Sequence, residues 1–99
     1  MQYVIITGIA PRVVALNSYV EKIVYGAPER IYAVPVGRGR FVALVEYKDD
    51  QETWARSTYL RMSSFNLGSV YATKADAAWG EFGCWIGHYA GFTEAGTAV

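Results

Sequence analysis

Hydrophobic residues in the C-terminal third of the chain follow a helical period over residues 77–92 (AAWGEFGCWIGHYAGF). At about 100° per residue, one side of the helix is apolar and the other carries glycines. The apolar side comprises Ala78, Phe82, Trp85, Ile86 and Tyr89, and the glycine side comprises Gly80, Gly83, Gly87 and Gly91. An interior glycine costs a helix up to ~1 kcal/mol relative to alanine. Two alternatives stay open: a continuous helix whose glycine side admits a close-packed partner, or a helix that ends near Gly83 or Gly87.

The N-terminal pattern predicts a buried strand followed by a helix. Residues 3–9 (YVIITGI) form a continuous β-branched run, which is typical of a central strand of a sheet. Over residues 11–25, apolar residues recur at helical spacing, a proline opens the segment, and a Gly-Ala-Pro sequence follows it. Two strands that turn at Asn17 and Ser18 are the alternative for this segment.

The middle of the chain predicts three strands. Residues 29–36 and 41–48 are rich in β-formers and flank the sequence Gly-Arg-Gly-Arg, which predicts a hairpin. Pro35 fits an edge strand or a bulge. Residues 54–62 (WARSTYLRM) alternate between two mixed faces, which predicts a half-exposed strand.

The remaining segments complete an α+β pattern. Residues 63–67 predict a loop and residues 68–72 a short strand, and Thr73 is the expected start of the last helix, with Asp76 in its first turn. The order β-α-β-β-β-(β)-α predicts a two-layer sandwich, with a mainly antiparallel sheet of four to five strands and two helices on one face. We expect a single compact domain over residues 1–92 and a frayed tail over residues 93–99.

The charge balance argues against two simple classes of function. Nine Lys and Arg residues balance nine Asp and Glu residues. A protein held to nucleic acid chiefly by phosphate neutralisation is usually basic, and a carboxylate-rich mimic of DNA would be acidic. Six of the nine cations are arginines. This bias favours recognition by bidentate contacts, although a GC-rich genome produces the same bias.

Targeting and disulfide signals are weak in this sequence. The apolar run near the N-terminus is too short for a signal peptide, and no run approaches the ~20 apolar residues of a membrane span. The expected location is therefore the cytoplasm, with no membrane partner. A single cysteine, Cys84, excludes an intramolecular disulfide.

Cys84 and His88, with Glu81 one turn before the cysteine, form the one cluster of chemically versatile side chains. A zinc site would need a further ligand, and a Cys–His nucleophile would need a third group to orient its base. Nothing in the pattern provides either. We therefore predict no catalytic residues, no metal and no cofactor.

Binding to a partner is the remaining class of function. The Gly-Arg-Gly-Arg sequence offers several donors beside flexible backbone, and the glycine side of the last helix offers a smooth surface. The predicted partner-binding residues are Arg38, Arg40, Trp54, Arg56, Glu81, Gly83, Gly87 and His88. The expected partner is a larger protein complex, a nucleoprotein included, and self-association into a homodimer stays open.

In size, neutral charge, lone cysteine and lack of a catalytic signature, the chain resembles the small accessory proteins of phages and mobile elements, anti-CRISPR proteins among them. The resemblance implies a non-enzymatic inhibitor that covers a surface of a host defence complex. The alternative is a single-stranded nucleic-acid-binding protein, in which arginines hold the backbone and sheet aromatics stack on bases. Those arginines would be Arg12, Arg38, Arg40 and Arg56. Those aromatics would be Tyr32, Phe41, Tyr47, Trp54 and Tyr59.

Overall fold

Four strands form one sheet in a computed structural model that describes residues 1–12, 14–61 and 66–90. The strands are β1 (Gln2–Ile9), β2 (Arg30–Gly37), β3 (Arg40–Tyr47) and β4 (Asn66–Ala72). They pair antiparallel in the order β2-β3-β1-β4. β1 is therefore central, as its continuous apolar run predicts, and residues 2–7 are all buried.

Three helices and a short 3₁₀ turn complete the described fold. The helices are α1 (Leu16–Ile23), α2 (Glu52–Arg61) and α3 (Ala75–Tyr89), and the 3₁₀ turn covers Asp49–Gln51. The predicted α+β class with a four-stranded antiparallel sheet is confirmed. Within the described ranges, no helix combines the length and the apolar character needed to cross a membrane.

The helices cover both faces of the sheet, whereas the sequence predicted two helices on one face. Residues of α1 and α2 pack with one set of alternate strand residues, namely Val4, Ile6, Phe41, Ala43, Val45 and Tyr47. Ala78 and Phe82 of α3 pack with the other set, namely Tyr3, Ile5, Val42 and Leu44. The physical reason is that β1 and β3 are apolar on both faces, so each face needs a cover.

Helix α2 replaces the strand predicted over residues 54–62, and that prediction is wrong. Among residues 52–59, whose side chains the structure describes, Ala55 and Thr58 are buried, and a spacing of three places both on one side of a helix. Glu52 lies in the first turn, where a carboxylate interacts favourably with the helix dipole. Two buried residues in this part of α2 give little helical periodicity, and the alternation of mixed faces in the sequence was therefore misleading.

The β2–β3 hairpin has the predicted position. Residues 37, 38 and 39 all have positive φ angles, of 94°, 57° and 75°, at the tight connection. Pro35 lies on an edge strand beside a register irregularity between residues 35 and 37, as the sequence predicted. At the same edge, the Ala33 N–H donates to Asn17 Oδ1 over 3.1 Å.

The helix boundaries differ from those expected. α1 begins at Leu16 rather than near Pro11, and its presence rules out the alternative pair of strands. α3 begins at Ala75 without a side-chain cap. Thr73 instead has a positive φ of 58° and donates its N–H to the Met1 carbonyl over 2.7 Å, so it belongs to the end of β4 rather than to a helix cap.

Helix α3 runs unbroken to Tyr89, which decides between the two alternatives for the aromatic–glycine segment. Its predicted apolar side packs on the sheet. β4 contains the short strand predicted over residues 68–72 and begins two residues earlier. The predicted loop over residues 63–67 lies largely outside the described residues, and Gly91 and the tail over residues 93–99 lie wholly outside them.

Candidate partner-binding site

The eight predicted binding residues lie on three separate elements. Arg38 and Arg40 belong to the β2–β3 hairpin, Trp54 and Arg56 to α2, and Glu81, Gly83, Gly87 and His88 to α3. The eight residues therefore do not come together at one site. Each element is described below by the contacts of its own side chains.

The two α2 residues already have partners inside the chain. The Trp54 ring lies 5.0 Å from the Tyr25 ring and packs against Gly26, although 43% of Trp54 is exposed. The Arg56 guanidinium donates to Glu52 Oε1 over 3.0 Å. Trp54 therefore packs against the segment that follows α1, and Arg56 forms an ion pair with a neighbour on its own helix.

The outer face of α3 is smooth, as a continuous helix implies. A Cβ added at Gly80 or Gly83 would meet no atom within 4 Å, and Cys84 and His88 are exposed. Glu81, however, is half-buried and accepts a hydrogen bond from Trp85 Nε1 over 2.8 Å. One oxygen of this carboxylate is therefore already engaged within the helix.

Three arginines lie at one end of the sheet, where β1 ends and the β2–β3 hairpin turns; we call this region the hairpin end. The Ala10 N–H donates to the Gly39 carbonyl over 2.8 Å and fastens the segment after β1 to the hairpin. Arg12 and Arg38 are exposed, and Arg40 is half-buried. Within the described ranges, none of these three guanidinium groups forms an ion pair.

An open cleft of about 660 Å³ lies beside the hairpin, with residues 10–12 and 14–17 on one side and β2 on the other. Arg12 and Arg40 are the charged residues among the described residues that line it, and no carboxylate of that part of the chain does so. The other walls are mostly apolar and include Val14, Leu16 and Pro35. The cleft therefore combines two positively charged side chains with mostly apolar walls.

The first turn of α1 also lines this cleft. Ala15, at the N-cap position, makes no side-chain hydrogen bond, and no acidic residue lies in the first turn. The first N–H groups of a helix have no partner within the helix, and the helix dipole gives this end a partial positive charge. The helix therefore adds to the positive potential of the two arginines.

Sequence reasoning named Arg12 only for the alternative nucleic-acid function, and it did not place Val14 in a binding site. Both follow β1 along the chain, and the site forms because β1 pairs with β3 in a register that sets Ile9 opposite Arg40. The Pro-Arg pair directly after a predicted buried strand indicated an exposed cation at the end of the sheet. The local sequence does not reveal, however, which strand pairs with β1.

Metal and base-stacking sites find little support in the geometry. Among the residues that the structure describes, no three His, Cys, Asp or Glu side chains are grouped to hold a metal ion. The proposed base-stacking aromatics do not share an exposed sheet surface, because Phe41 and Tyr47 are fully buried and Trp54 and Tyr59 lie on α2.

Comparison with protein-family models, with curated proteins and with solved structures finds no match to this chain.

Proposed function

We propose that this protein is a non-enzymatic binding module that engages a larger protein through its hairpin end. The observation that carries the proposal is the group of three arginines without an ion pair in the described chain, beside an apolar cleft. Ile9 is 67% exposed at the same end. Arginine is among the residues that contribute most to protein interfaces, and an exposed isoleucine adds apolar surface for a partner to cover.

The contacts elsewhere strengthen this choice. The side chains of Arg56 and Glu81 form hydrogen bonds with neighbours one helical turn away, and the ring of Trp54 packs against Gly26. The hairpin arginines have no such neighbour among the described residues. A partner that offers carboxylates to them would gain charge-assisted hydrogen bonds without breaking any internal ion pair.

The finer role proposed here is inhibition of a host defence complex by covering one of its surfaces. It rests on the resemblance to phage accessory proteins in size, neutral charge and cysteine content. A homodimer is compatible with the same role, and sedimentation velocity of the purified protein tests it directly.

Charge reversal at the hairpin end tests the proposal. The tagged protein is used to retain its partner from a lysate of the native host, and the Arg12→Glu, Arg38→Glu double variant is compared with it. We expect at least about tenfold less retained partner for the double variant, since each lost charged hydrogen bond is worth roughly 1.5–3 kcal/mol.

Lys74→Glu is the matched control, because Lys74 is an exposed cation next to Thr73, whose N–H bonds to Met1 at the opposite end of β1. An equal loss for Lys74→Glu would refute a role specific to the hairpin end. Loss of the partner with Gly83→Trp and retention with the arginine variant would transfer the site to the outer face of α3.

Nucleic-acid binding is the second candidate, and the unpaired arginines are the observation that favours it. Filter binding of a labelled oligothymidylate at increasing salt separates the two functions. Three phosphate contacts would give a slope of about −2 in a plot of log affinity against log salt. A weak signal without this dependence rejects the nucleic-acid function.

A further inference from the structure

Arg40 contains a buried polar atom that no described residue satisfies. Its Nε is inaccessible to solvent and has no hydrogen-bond partner, and the residue lines the cleft at the hairpin end. A buried donor of a charged group without an acceptor is costly and uncommon in folded proteins. The Arg40 side chain as a whole is partly exposed and lines the cleft. A ligand in the cleft that draws the guanidinium towards it would give Nε an acceptor and remove this cost.

The other polar features of the cleft favour a negatively charged ligand. Arg12 lies in its lining, and the uncapped first turn of α1 contributes N–H donors. Helix N-termini and arginines are recurrent features of anion sites. Since no carboxylate of the described residues lines the cleft, nothing there competes for these donors.

The apolar walls require that the ligand carry more than a charge. Val14 is 41% exposed, and Leu16, Ala33 and Pro35 extend the apolar lining. The volume of about 660 Å³ falls in the range of pockets that bind small ligands. An inorganic anion would leave most of this surface uncovered.

The edge of β2 is poorly suited to pairing with an added strand at this place. The Ala33 N–H is occupied by Asn17 Oδ1, so it faces the free edge rather than β3. Two residues on, Pro35 has no N–H to offer at that edge. The ligand is therefore bound through its own side chain and charge, and not by extension of the sheet.

We infer that this cleft binds a carboxylate group next to an apolar side chain, as an acidic segment of a partner protein presents them. The inference rests on the proposed function for the source of the segment. The apolar side chain packs against Val14 and Leu16, and the carboxylate accepts hydrogen bonds from Arg40 and Arg12.

A titration followed by ¹H–¹⁵N NMR tests this inference, with N-acetyl-leucine as the probe. We expect saturable shifts of the Arg40 Nε–H signal and of the backbone amides of Val14 and Leu16. N-acetyl-leucinamide, which lacks the carboxylate, should bind about tenfold more weakly. Equal binding of the amide, or binding of inorganic phosphate as tight as that of N-acetyl-leucine, would overturn the inference.

Two variants and a control locate the site. Arg40→Gln should abolish the shifts, and Arg12→Gln, at an exposed position that folding does not need, should weaken binding at least about threefold. Lys74→Gln removes the same charge at the opposite end and should leave the affinity unchanged. Shifts confined to Ile9 and Tyr89 would instead indicate the smaller cleft of about 190 Å³ on the other side of Arg40, and would refute the assignment.

The outcomes also separate this inference from the proposed function. If the Arg12→Glu, Arg38→Glu variant loses the partner while N-acetyl-leucine fails to bind, the proposed protein-binding function is supported and the carboxylate site in the cleft is refuted. If the probe binds as expected and the charge reversal leaves partner retention intact, the carboxylate site in the cleft is supported and the proposed function is refuted. Displacement of N-acetyl-leucine by oligothymidylate would assign the cleft to nucleic acid and overturn the inference.

Discussion

The two ends of the sheet differ in how many of their charges form ion pairs within the described chain. At the hairpin end, three arginines lack ion pairs among the described residues. At the opposite end, about 24 Å away along β3, Lys48 lies 3.4 Å from Glu29, and the amino group of Met1 pairs with Asp49. Charges with partners inside the chain contribute to the fold, whereas charges without them are available to another molecule.

Buried polar groups also differ between the two ends. At the opposite end, Tyr47 Oη donates to the Tyr25 carbonyl over 2.6 Å and lies 2.8 Å from Thr58 Oγ1, which in turn accepts the Tyr25 N–H over 2.9 Å. At the hairpin end, the buried Arg40 Nε has no acceptor among the described residues. Two buried oxygens at the opposite end, Glu46 Oε2 and Gln51 Oε1, also lack a hydrogen-bond partner among the described residues, although Glu46 Oε2 lies 3.9 Å from Arg30 Nε. The difference between the ends is therefore that only the opposite end contains the network of Tyr47, Thr58 and Tyr25.

The largest expected effect is loss of stability in Gly26→Ala, at the opposite end. Gly26 has a φ of 85°, and an added Cβ would lie 2.8 Å from Trp54 Cγ and 2.9 Å from Trp54 Cβ, at the root of that side chain. The backbone strain and the overlap together should lower the free energy of unfolding by about 3 kcal/mol. Urea denaturation measures the change.

Gly83→Ala is the control for this prediction, because its Cβ has open space and lies in a helix. It should raise the free energy of unfolding by about 0.8 kcal/mol. If the Gly26 variant were as stable as the wild type, Trp54 would be loosely packed. It would then return to the list of residues available to a partner.

Thr58→Val should have the next largest effect. The change preserves shape but removes the acceptor of the Tyr25 N–H and the neighbour of the Tyr47 hydroxyl. Leaving these groups unsatisfied should lower the free energy of unfolding by about 2 kcal/mol. Thr58→Ser keeps the hydroxyl and should lose about half as much. If Ser and Val were equally destabilising, the methyl group rather than the network would be important.

How much of this contrast could be predicted depends on how local its signals are. The apolar run of β1 predicts burial on both faces whatever the rest of the chain does, and the glycines at 37 and 39 mark the hairpin by themselves. The apolar side of α3 repeats over four turns, so its packing was also predictable. In each case the necessary information lies within one segment.

Neither α2 nor the cleft could be predicted in this way. α2 buries Ala55 and Thr58 against strands far away in sequence, and its own alternation resembles a strand. The cleft depends on the bond from Ala10 to Gly39 and on the register that sets Ile9 opposite Arg40. Such features arise from the pairing of distant segments, which no local pattern in one sequence specifies.

A smaller effect is expected from high pH, again at the opposite end. Burial raises the pKa of Tyr47, and the hydrogen bond with Thr58 offsets part of that shift. A phenol whose pKa is raised on folding stabilises the fold below its unfolded pKa of about 10, and this stability is lost as the pH rises further. The free energy of unfolding should therefore fall above about pH 10, by at most about 1.4 kcal/mol per pH unit for this group.

Tyr47→Phe, compared with the wild type from pH 8 to 11, isolates this contribution. The variant should start less stable and decline less steeply. Tyr3, whose pKa is also raised by burial and by Glu46, should account for part of the remaining slope. A variant that declines in parallel with the wild type would show that Tyr47 does not carry the dependence.

The smallest effect is expected from Lys48→Ala, which breaks an ion pair at the opposite end. Lys48 Nζ lies 3.4 Å from Glu29 Oε2, but the lysine side chain is 60% exposed, so water and salt screen the attraction. The free energy of unfolding should change by less than about 0.5 kcal/mol, and still less at high salt. A loss above about 1 kcal/mol would mean that paired surface charges, and not the buried network of Tyr47 and Thr58, stabilise this end. The contrast between the two ends would then rest on charge pairing alone, and the hairpin arginines would be expected to destabilise the free protein measurably.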